Sequence, residues 1–353
     1  MDSLSSISLC MIVRDEAEQL SRCLKSAQDV VDEIIIVDTG SVDKTVEIAH
    51  SYGAQVYNFP WTGDFAAARN ESLDKATKKW ILFLDADEEL PLETAQLLPA
   101  LVALSKEEAW SFQILSFLSD DKTQSVAHSS IRLFKNSKSY QFEGKIHEQI
   151  GPSIRREQPY ATIGQSDLII HHYGYSQKSL QNKGKKERNI ALLEEFVAQS
   201  PENANLHFNL AVSYSVNGQW PKAKEHFQKT LSLPNLSATL LAALCRSYSI
   251  CLYHLREYEE ALQFLQQGLS LFPHYGELYY LRGQIAWATG DLEEAEKNFL
   301  QATQLQHTTA EFISTTGTTS FLAWENIATI ALYKGKGQQA IEAIAKAPQE
   351  KFS

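Results

Sequence analysis

Hydrophobic positions follow two different rules along this chain. Up to residue 175, short β-branched runs alternate with segments of helical spacing; beyond it, helical periodicity is nearly unbroken. Strands are predicted at 7–13, 33–38, 54–57 and 80–85, with helices at 16–27, 45–51 and 65–76 between them. Residues 34–37 and 81–84 are continuously apolar rather than alternating, as in strands buried on both faces. A second strand set is predicted at 110–118, 130–134 and 167–172. The first half therefore reads as an α/β domain with a largely parallel sheet covered by helices.

The helical half repeats itself. Leu210-Ala211, Tyr214, Gly218, Ala223 and Phe227 make one unit; Ala261, Leu265, Gly268 and Pro273 mark the next. Gly283, Gly290, Ala295, Phe299 and Ala302 mark a third, and Trp324, Ile327-Ala328, Gly335 and Ala340 a fourth. Small residues where antiparallel helices touch, with a large apolar residue four positions after a key alanine, are the tetratricopeptide pattern. Only Ala261 to Ala295 matches its ~34-residue period, so the other intervals need insertions in the connecting turns. Stacked repeats form a curved surface that commonly takes a protein or peptide. A purely structural role, or a homodimer through the repeats, is the alternative.

Composition narrows the function classes. The chain has 353 residues, 44% hydrophobic and 21% charged, with 32 Lys plus Arg against 43 Asp plus Glu, a net charge of −11. Such an acidic balance gives no steering toward nucleic acid or anionic lipid. No run approaches the ~20 apolar residues of a membrane span. The first six residues lack a secretory signal pattern. Cys10, Cys23, Cys245 and Cys251 have no metal-ligand spacing and read as buried free thiols of a cytoplasmic protein.

Carboxylates end two of the apolar strands. Ile34-Ile35-Ile36-Val37 runs into Asp38-Thr39-Gly40-Ser41 and then Asp43; Trp80-Ile81-Leu82-Phe83-Leu84 runs into Asp85-Ala86-Asp87. Ligands of open α/β sheets bind at the carboxyl ends of strands. Asp38 is suited to accept a hydrogen bond from a base or a ribose hydroxyl. Asp43 is an expected helix N-cap. Paired carboxylates one residue apart suit a hard cation, Mg²⁺ or Mn²⁺, shared with substrate phosphates. Neither a P-loop nor a Gly-x-Gly-x-x-Gly element follows the first strand, which argues against an NTPase and a dinucleotide-dependent dehydrogenase.

These segments carry a resemblance. Ser8-Leu9-Cys10-Met11-Ile12-Val13-Arg14-Asp15-Glu16, Val37-Asp38-Thr39-Gly40-Ser41 and Asp43-Lys44-Thr45 resemble family 2 nucleotide-sugar glycosyltransferases of the GT-A fold. Trp61-x-x-Asp64-Phe65, Ala68-Arg69-Asn70 and Leu84-Asp85-Ala86-Asp87-Glu88 extend the likeness in the same order. It spans residues 7–175 and is similar to the β-1,4-glucosyltransferase-like bacterial subgroup. Within that subgroup, sublancin-type peptide S-glycosyltransferases likewise bear a helical repeat tail. Asp15 and Thr39 depart from the family pattern, which commonly has Asn and a second Asp there.

The resemblance implies an α/β GT-A domain (a Rossmann-like mixed sheet) at 1–175 and an all-α tetratricopeptide-like domain at 176–353. It implies a metal-dependent, inverting transfer of a hexose from a nucleotide sugar, a UDP-sugar, to an acceptor. Asp38 would contact the base, Asp85 the ribose, and Asp87 the metal, with Glu16 and Arg69 near the nucleotide. For Arg69 a structural salt bridge to Asp64 is the alternative. His172, in Ile170-His171-His172-Tyr173-Gly174-Tyr175, fits a further metal ligand or a packed histidine. Glu148 of Glu143-Gly144-Lys145-Ile146-His147-Glu148 is the expected general base, in preference to Glu143. Lys178, Lys183, Lys185, Lys186 and Arg188 form either a solvated face or a diphosphate or acceptor contact. A protein or peptide acceptor held by the repeats is the expected partner. A lipid-linked or lipopolysaccharide-type glycan acceptor, or a non-catalytic adaptor, is the alternative.

Overall fold

The structure is a computed structural model and describes residues 6–119, 121–146, 148–174, 183–305 and 312–347, apart from the side chains of 183–186 and 188. The chain divides into two compact units: Met1–Asp120 with Ser129–Ser179, and Asp121–His128 with Leu180–Ser353.

The first unit is built on a mixed sheet. Its strands are β1 (Ile7–Val13), β2 (Glu33–Asp38), β3 (Gln55–Asn58), β4 (Trp80–Phe83), β5 (Glu88–Glu89), β6 (Ala109–Phe117), β7 (Ser125–Lys135) and β8 (Ile163–His172). They lie in the order β3-β2-β1-β4-β7-β6-β8-β5. β1 pairs parallel with β2 and β4, and β2 with β3, whereas β7 meets β4 antiparallel. The helices are α1 (Leu20–Ala27), α2 (Thr45–Ser51), α3 (Phe65–Lys75), α4 (Leu92–Leu104) and α5 (Gly151–Glu157).

Both faces of the central strands are covered, as their continuous apolar runs predict. Leu9, Met11, Ile34, Ile36 and Leu82 point to one face, against Leu20, Leu24, Ala49 and Leu98 of α1, α2 and α4. Cys10, Ile35, Ile81 and Phe83 point to the other, against Ala66, Leu73 and Ile154 of α3 and α5. Each such large side chain contributes about 1.5–3 kcal/mol when fully buried. All four cysteines are buried and unpaired.

Boundaries shift where backbone groups are committed elsewhere. The helix expected from 16 begins at Leu20; ahead of it the amides of Glu16 and Ala17 donate to Thr45 Oγ1 and Asp43 Oδ2. The strand expected to reach 85 stops at Phe83, because the Asp85 amide turns to Glu88 Oε2 at 2.9 Å. β5 was not foreseen; it is two glutamates long and carries no strand pattern.

The second unit stacks the helices Lys183–Gln199, Ala204–Val216, Trp220–Ser232, Ala238–His254, Tyr258–Leu271, Gly276–Ala288, Leu292–Thr303, Phe321–Tyr333 and Gly337–Lys346. The expected small residues lie at the helix crossings. Ala223, Ala261 and Ala295 are fully buried, as are Phe227, Leu265 and Phe299 four positions on. A Cβ on Gly283 would sit 2.8 Å from the Phe299 ring. One strand breaks the helical pattern: β9 (Ser314–Thr315) pairs antiparallel with Val126 and Ala127, which belong to this unit. The segment around it fills the long interval between Ala295 and Ala340, the insertion that the spacing calls for. Buried Glu277 anchors it, accepting from the Thr315 amide at 2.7 Å and pairing with Arg246 at 2.9 Å. No helix among the described residues is long and apolar enough to cross a membrane.

Left-handed backbone turns the chain within successive helix pairs of this unit. Gly218, Gly290 and Gly335 supply it in three pairs, but Arg256 does so at φ 61° in another. A side chain strains that conformation, whereas glycine does not. Arg256→Gly should therefore raise stability, and Gly290→Ala lower it, each by about 1 kcal/mol in urea denaturation.

Candidate active site

The sheet brings the carboxyl ends of β1, β2 and β4 together, and the loops leaving β1 and β2 are sewn to each other. Asp15, at φ 54°, receives the Val42 amide on Oδ1 at 2.8 Å and donates its own amide to Ser41 Oγ at 3.0 Å. The Asp43 carboxylate takes the Ala17 amide at 3.1 Å and the Thr45 amide at 2.9 Å. The N-cap position of α2 is Lys44, so Asp43 acts one residue earlier than a cap, joining both loops. Asp38 is 5% exposed and accepts from the Gly40 amide, the Ser41 amide and the Ser41 hydroxyl. Part of its work is therefore to shape this turn. An aspartate offers about four acceptor positions, so capacity for a ligand donor remains.

The end of β4 is met by the end of β8 through β5. Glu88 stands opposite His172, and Glu89 opposite His171, in an antiparallel pairing. The Tyr173 amide closes on the Asp87 carbonyl at 3.0 Å. This register sets His172 Nε2 3.5 Å from Asp87 Oδ2, while Nδ1 lies 2.9 Å from Ser116 Oγ. Burial disfavours the charged imidazole, but the hydrogen bond and charge of Asp87 outweigh it and raise the His172 pKa above 6.5. Gly174 completes this corner: a Cβ there would lie 2.5 Å from His172 Nε2 and 2.8 Å from Asp87 Oδ2. Among the described residues no third His, Cys, Asp or Glu joins a metal-sized group with them.

Arg69 occupies the middle of the site. Its position follows from α3, which Asp64 caps by accepting the Ala67 amide at 3.0 Å. Asp64 is thereby excluded as the expected salt-bridge partner. Arg69, 7% exposed, instead places Nη2 2.6 Å from Asp85 Oδ1 and donates Nε to Glu148 Oε1. The residue beside it holds the Glu148 segment in place. Asn70 bonds both the amide and the carbonyl of Phe142, at 2.7 and 3.1 Å. The Phe65 amide donates to the Lys145 carbonyl, and Glu143 and Gln149 bridge backbone to backbone, closing the loop that carries Glu148. The Glu143 side chain turns instead to Arg156.

A second arginine, which motif reading missed, mirrors the first. Arg132 of β7 donates Nη2 to Glu88 Oε1 at 2.6 Å and brings Nη1 within 3.9 Å of Asp85 Oδ2. The Phe83 ring lies under both guanidinium groups, at 5.0 Å for Arg69 and 4.6 Å for Arg132. Burial opposes ionisation of Asp85, yet the two arginines overcome it and hold this carboxyl well below the usual carboxylate range. Glu88 is 1% exposed, and burial raises its carboxyl above the usual range despite Arg132 beside it. Arg132 carries no spacing signal linking it to Asp85; only the strand order, β7 beside β4, brings it there.

Asp38, Asp85, Asp87, Arg69, Glu148 and His172 thus all belong to one unit, in which Arg69 joins Asp85 to Glu148 and His172 meets Asp87. Glu16 follows β1 at the same sheet edge, its amide bonded to Thr45. His147, Tyr175, Lys178 and the side chains of Lys183, Lys185, Lys186 and Arg188 lie outside the described residues.

Comparison with known proteins agrees with this geometry. Residues 8–162 match Glycosyl transferase family 2, and residues 192–225 and 252–312 match tetratricopeptide repeat families. A TPR repeat-containing protein of Synechococcus elongatus is 42% identical over 211 residues, covering 58% of this chain and 51% of its own. The SPbeta prophage-derived glycosyltransferase SunS of Bacillus subtilis is 28% identical over 229 residues, covering 64% of this chain and 53% of its own. An uncharacterized glycosyltransferase of Rickettsia typhi is 30% identical over 190 residues, covering 51% of this chain and 64% of its own. The chain therefore spans only 51 to 64% of the length of these relatives. Among solved structures, MamA is 19% identical, covers 47% of this chain and 89% of its own, and has a TM-score of 0.40. Strand order, the carboxylates at the strand ends and the match over residues 8–162 coincide: the chain carries a glycosyl transferase family 2 domain, with tetratricopeptide repeats after it.

Proposed function

We propose that the chain moves a hexose from a UDP-sugar to an acceptor nucleophile by a single inverting displacement. The observation that carries this reading is the convergence of Asp85, Asp87, His172, Arg69 and Glu148 at the carboxyl edge of the sheet in a family 2 domain. Asp38 and Asp85 receive the base and the ribose, with Glu16 at the same rim. Glu148 has one oxygen held by Arg69; the other takes the proton of the acceptor as its nucleophile attacks the anomeric carbon and the nucleoside diphosphate departs.

A divalent cation fits the corner formed by Asp87 and His172. Their ligating atoms already face each other at 3.5 Å, and Gly174 leaves open the space that any side chain would fill. Two protein donors are few for a structural metal but suit Mg²⁺ or Mn²⁺, which keep waters and share substrate phosphates. Such an ion would neutralise charge on the departing diphosphate. The repeats supply the acceptor platform, and a polypeptide is the acceptor class their stacked helices favour. Labelled donor offered to polypeptide and to lipid-linked glycan acceptors in parallel tests that assignment; label entering only the glycan contradicts it.

Glu148→Gln should leave UDP affinity nearly unchanged while lowering turnover by about 10²–10⁴-fold. Wild-type turnover in that variant removes Glu148 from the role of base. Calorimetry should show UDP binding that strengthens with Mg²⁺ or Mn²⁺ in the wild type and loses that gain in Asp87→Ala. In the metal-free protein, the raised His172 pKa means its pairing with Asp87 stabilises the fold fully below about 6.5 and fades as pH rises through the native value. Histidine NMR should place that midpoint above 6.5, and Asp87→Asn should lower it.

A further inference from the structure

The Arg69 guanidinium touches two carboxylates that the proposed reaction uses for different substrates. Asp85 belongs to the donor side and Glu148 to the acceptor side, and one rigid planar group spans them. The arginine is itself fixed. It is 7% exposed, it stands in the first turns of a helix capped by Asp64, and it lies over Phe83 and Phe142 at 5.0 and 5.5 Å. Its neighbour Asn70 locks the backbone of the segment that delivers Glu148. On the far side, Arg132 and Glu88 brace Asp85, so the groups alternate in sign: Glu148, Arg69, Asp85, Arg132, Glu88. Nε and Nη2 of Arg69 are thereby both committed to carboxylates.

We infer that Arg69 is a positioning residue that sets the distance and orientation between the ribose-binding Asp85 and the base Glu148, rather than a nucleotide contact. This rests on the reading of Glu148 as the base. A planar fork fixes both carboxylates through separate nitrogens, which an ammonium cannot do. It also holds Oε1 of Glu148, which orients the carboxylate toward the acceptor. Misplacement of a reacting group by an ångström costs on the order of 10²-fold in rate. The resemblance to nucleotide-sugar enzymes sets Arg69 near the nucleotide; its contacts join it to the two carboxylates.

Arg69→Lys in the full chain, assayed for UDP release from a UDP-sugar in the presence of acceptor, tests the inference. The expected result is UDP affinity within about 3-fold of wild type with kcat lower by about 10²-fold. Arg69→Ala should lose activity and recover at least about tenfold with added guanidinium ion, as expected if the missing group is only a positioned fork. Guanidinium should not rescue Glu148→Gln, and the double variant Arg69→Ala, Glu148→Gln should be no slower than Glu148→Gln alone. Should Arg69→Ala fail to fold, Arg69→Lys decides the matter. An Arg69→Lys enzyme with wild-type kcat, or with raised donor KM and unchanged kcat, overturns the inference while leaving the base reading standing. Wild-type turnover in Glu148→Gln overturns both.

Discussion

One shared ion pair organises the site: a buried guanidinium between Asp85 and Glu148. Burying charge is costly, and the cost is recovered only when every partner is present in good geometry. Deleting Arg69 would strand Glu148, whose side chain is 11% exposed, in a poorly solvated place, and breaking a buried pair typically costs about 3–5 kcal/mol. The constraint therefore reaches well beyond the side chain. α3 must present Arg69 toward the sheet, the loop of 143–149 must close over it, and β4 must end where Asp85 can meet it. Asp64, Asn70 and the Glu143–Gln149 bridge each secure one of those requirements.

Strand order explains the remainder of the site. β4 lies between parallel β1 and antiparallel β7, so it faces a classical strand-end crevice on one side and Arg132 on the other. The two-residue pairing of β5 with β8 then carries His172 to Asp87 from more than eighty positions along the chain. Around it, Tyr173 bonds Glu89 at 2.7 Å and lies under the Arg22 guanidinium at 3.8 Å, fixing the strand end beside Gly174. Loops with no regular structure of their own thus inherit precision from the sheet.

Much of this was legible in residues whose signal is local. Ile34–Val37 and Ile81–Leu84 announce doubly covered strands, and the carboxylates behind them announce a ligand edge. The alanine and glycine spacing of the second half announces stacked helix pairs. Contacts made by the sheet across long stretches of chain were not legible. Arg69 pairs with Asp85 and Glu148 rather than nearby Asp64, and nothing in its spacing could show that. Glu88 looks like one more surface glutamate after an aspartate pair, yet it is buried on Arg132. The left-handed turn at Arg256 carries no sequence signal, because it lacks the glycine found at Gly218, Gly290 and Gly335. Ser314–Thr315 hid a strand, since two residues carry no period.

The central claim is that one carboxyl edge receives donor nucleotide and cation while Arg69 keeps the base in register. A crystal structure of the full chain with UDP and Mn²⁺ tests it most directly. The account predicts an anomalous manganese peak between Asp87 and His172, the ribose on Asp85, and Arg69 still bridging Asp85 and Glu148. Manganese away from Asp87, or a nucleotide whose phosphates displace Glu148 from Arg69, would contradict it.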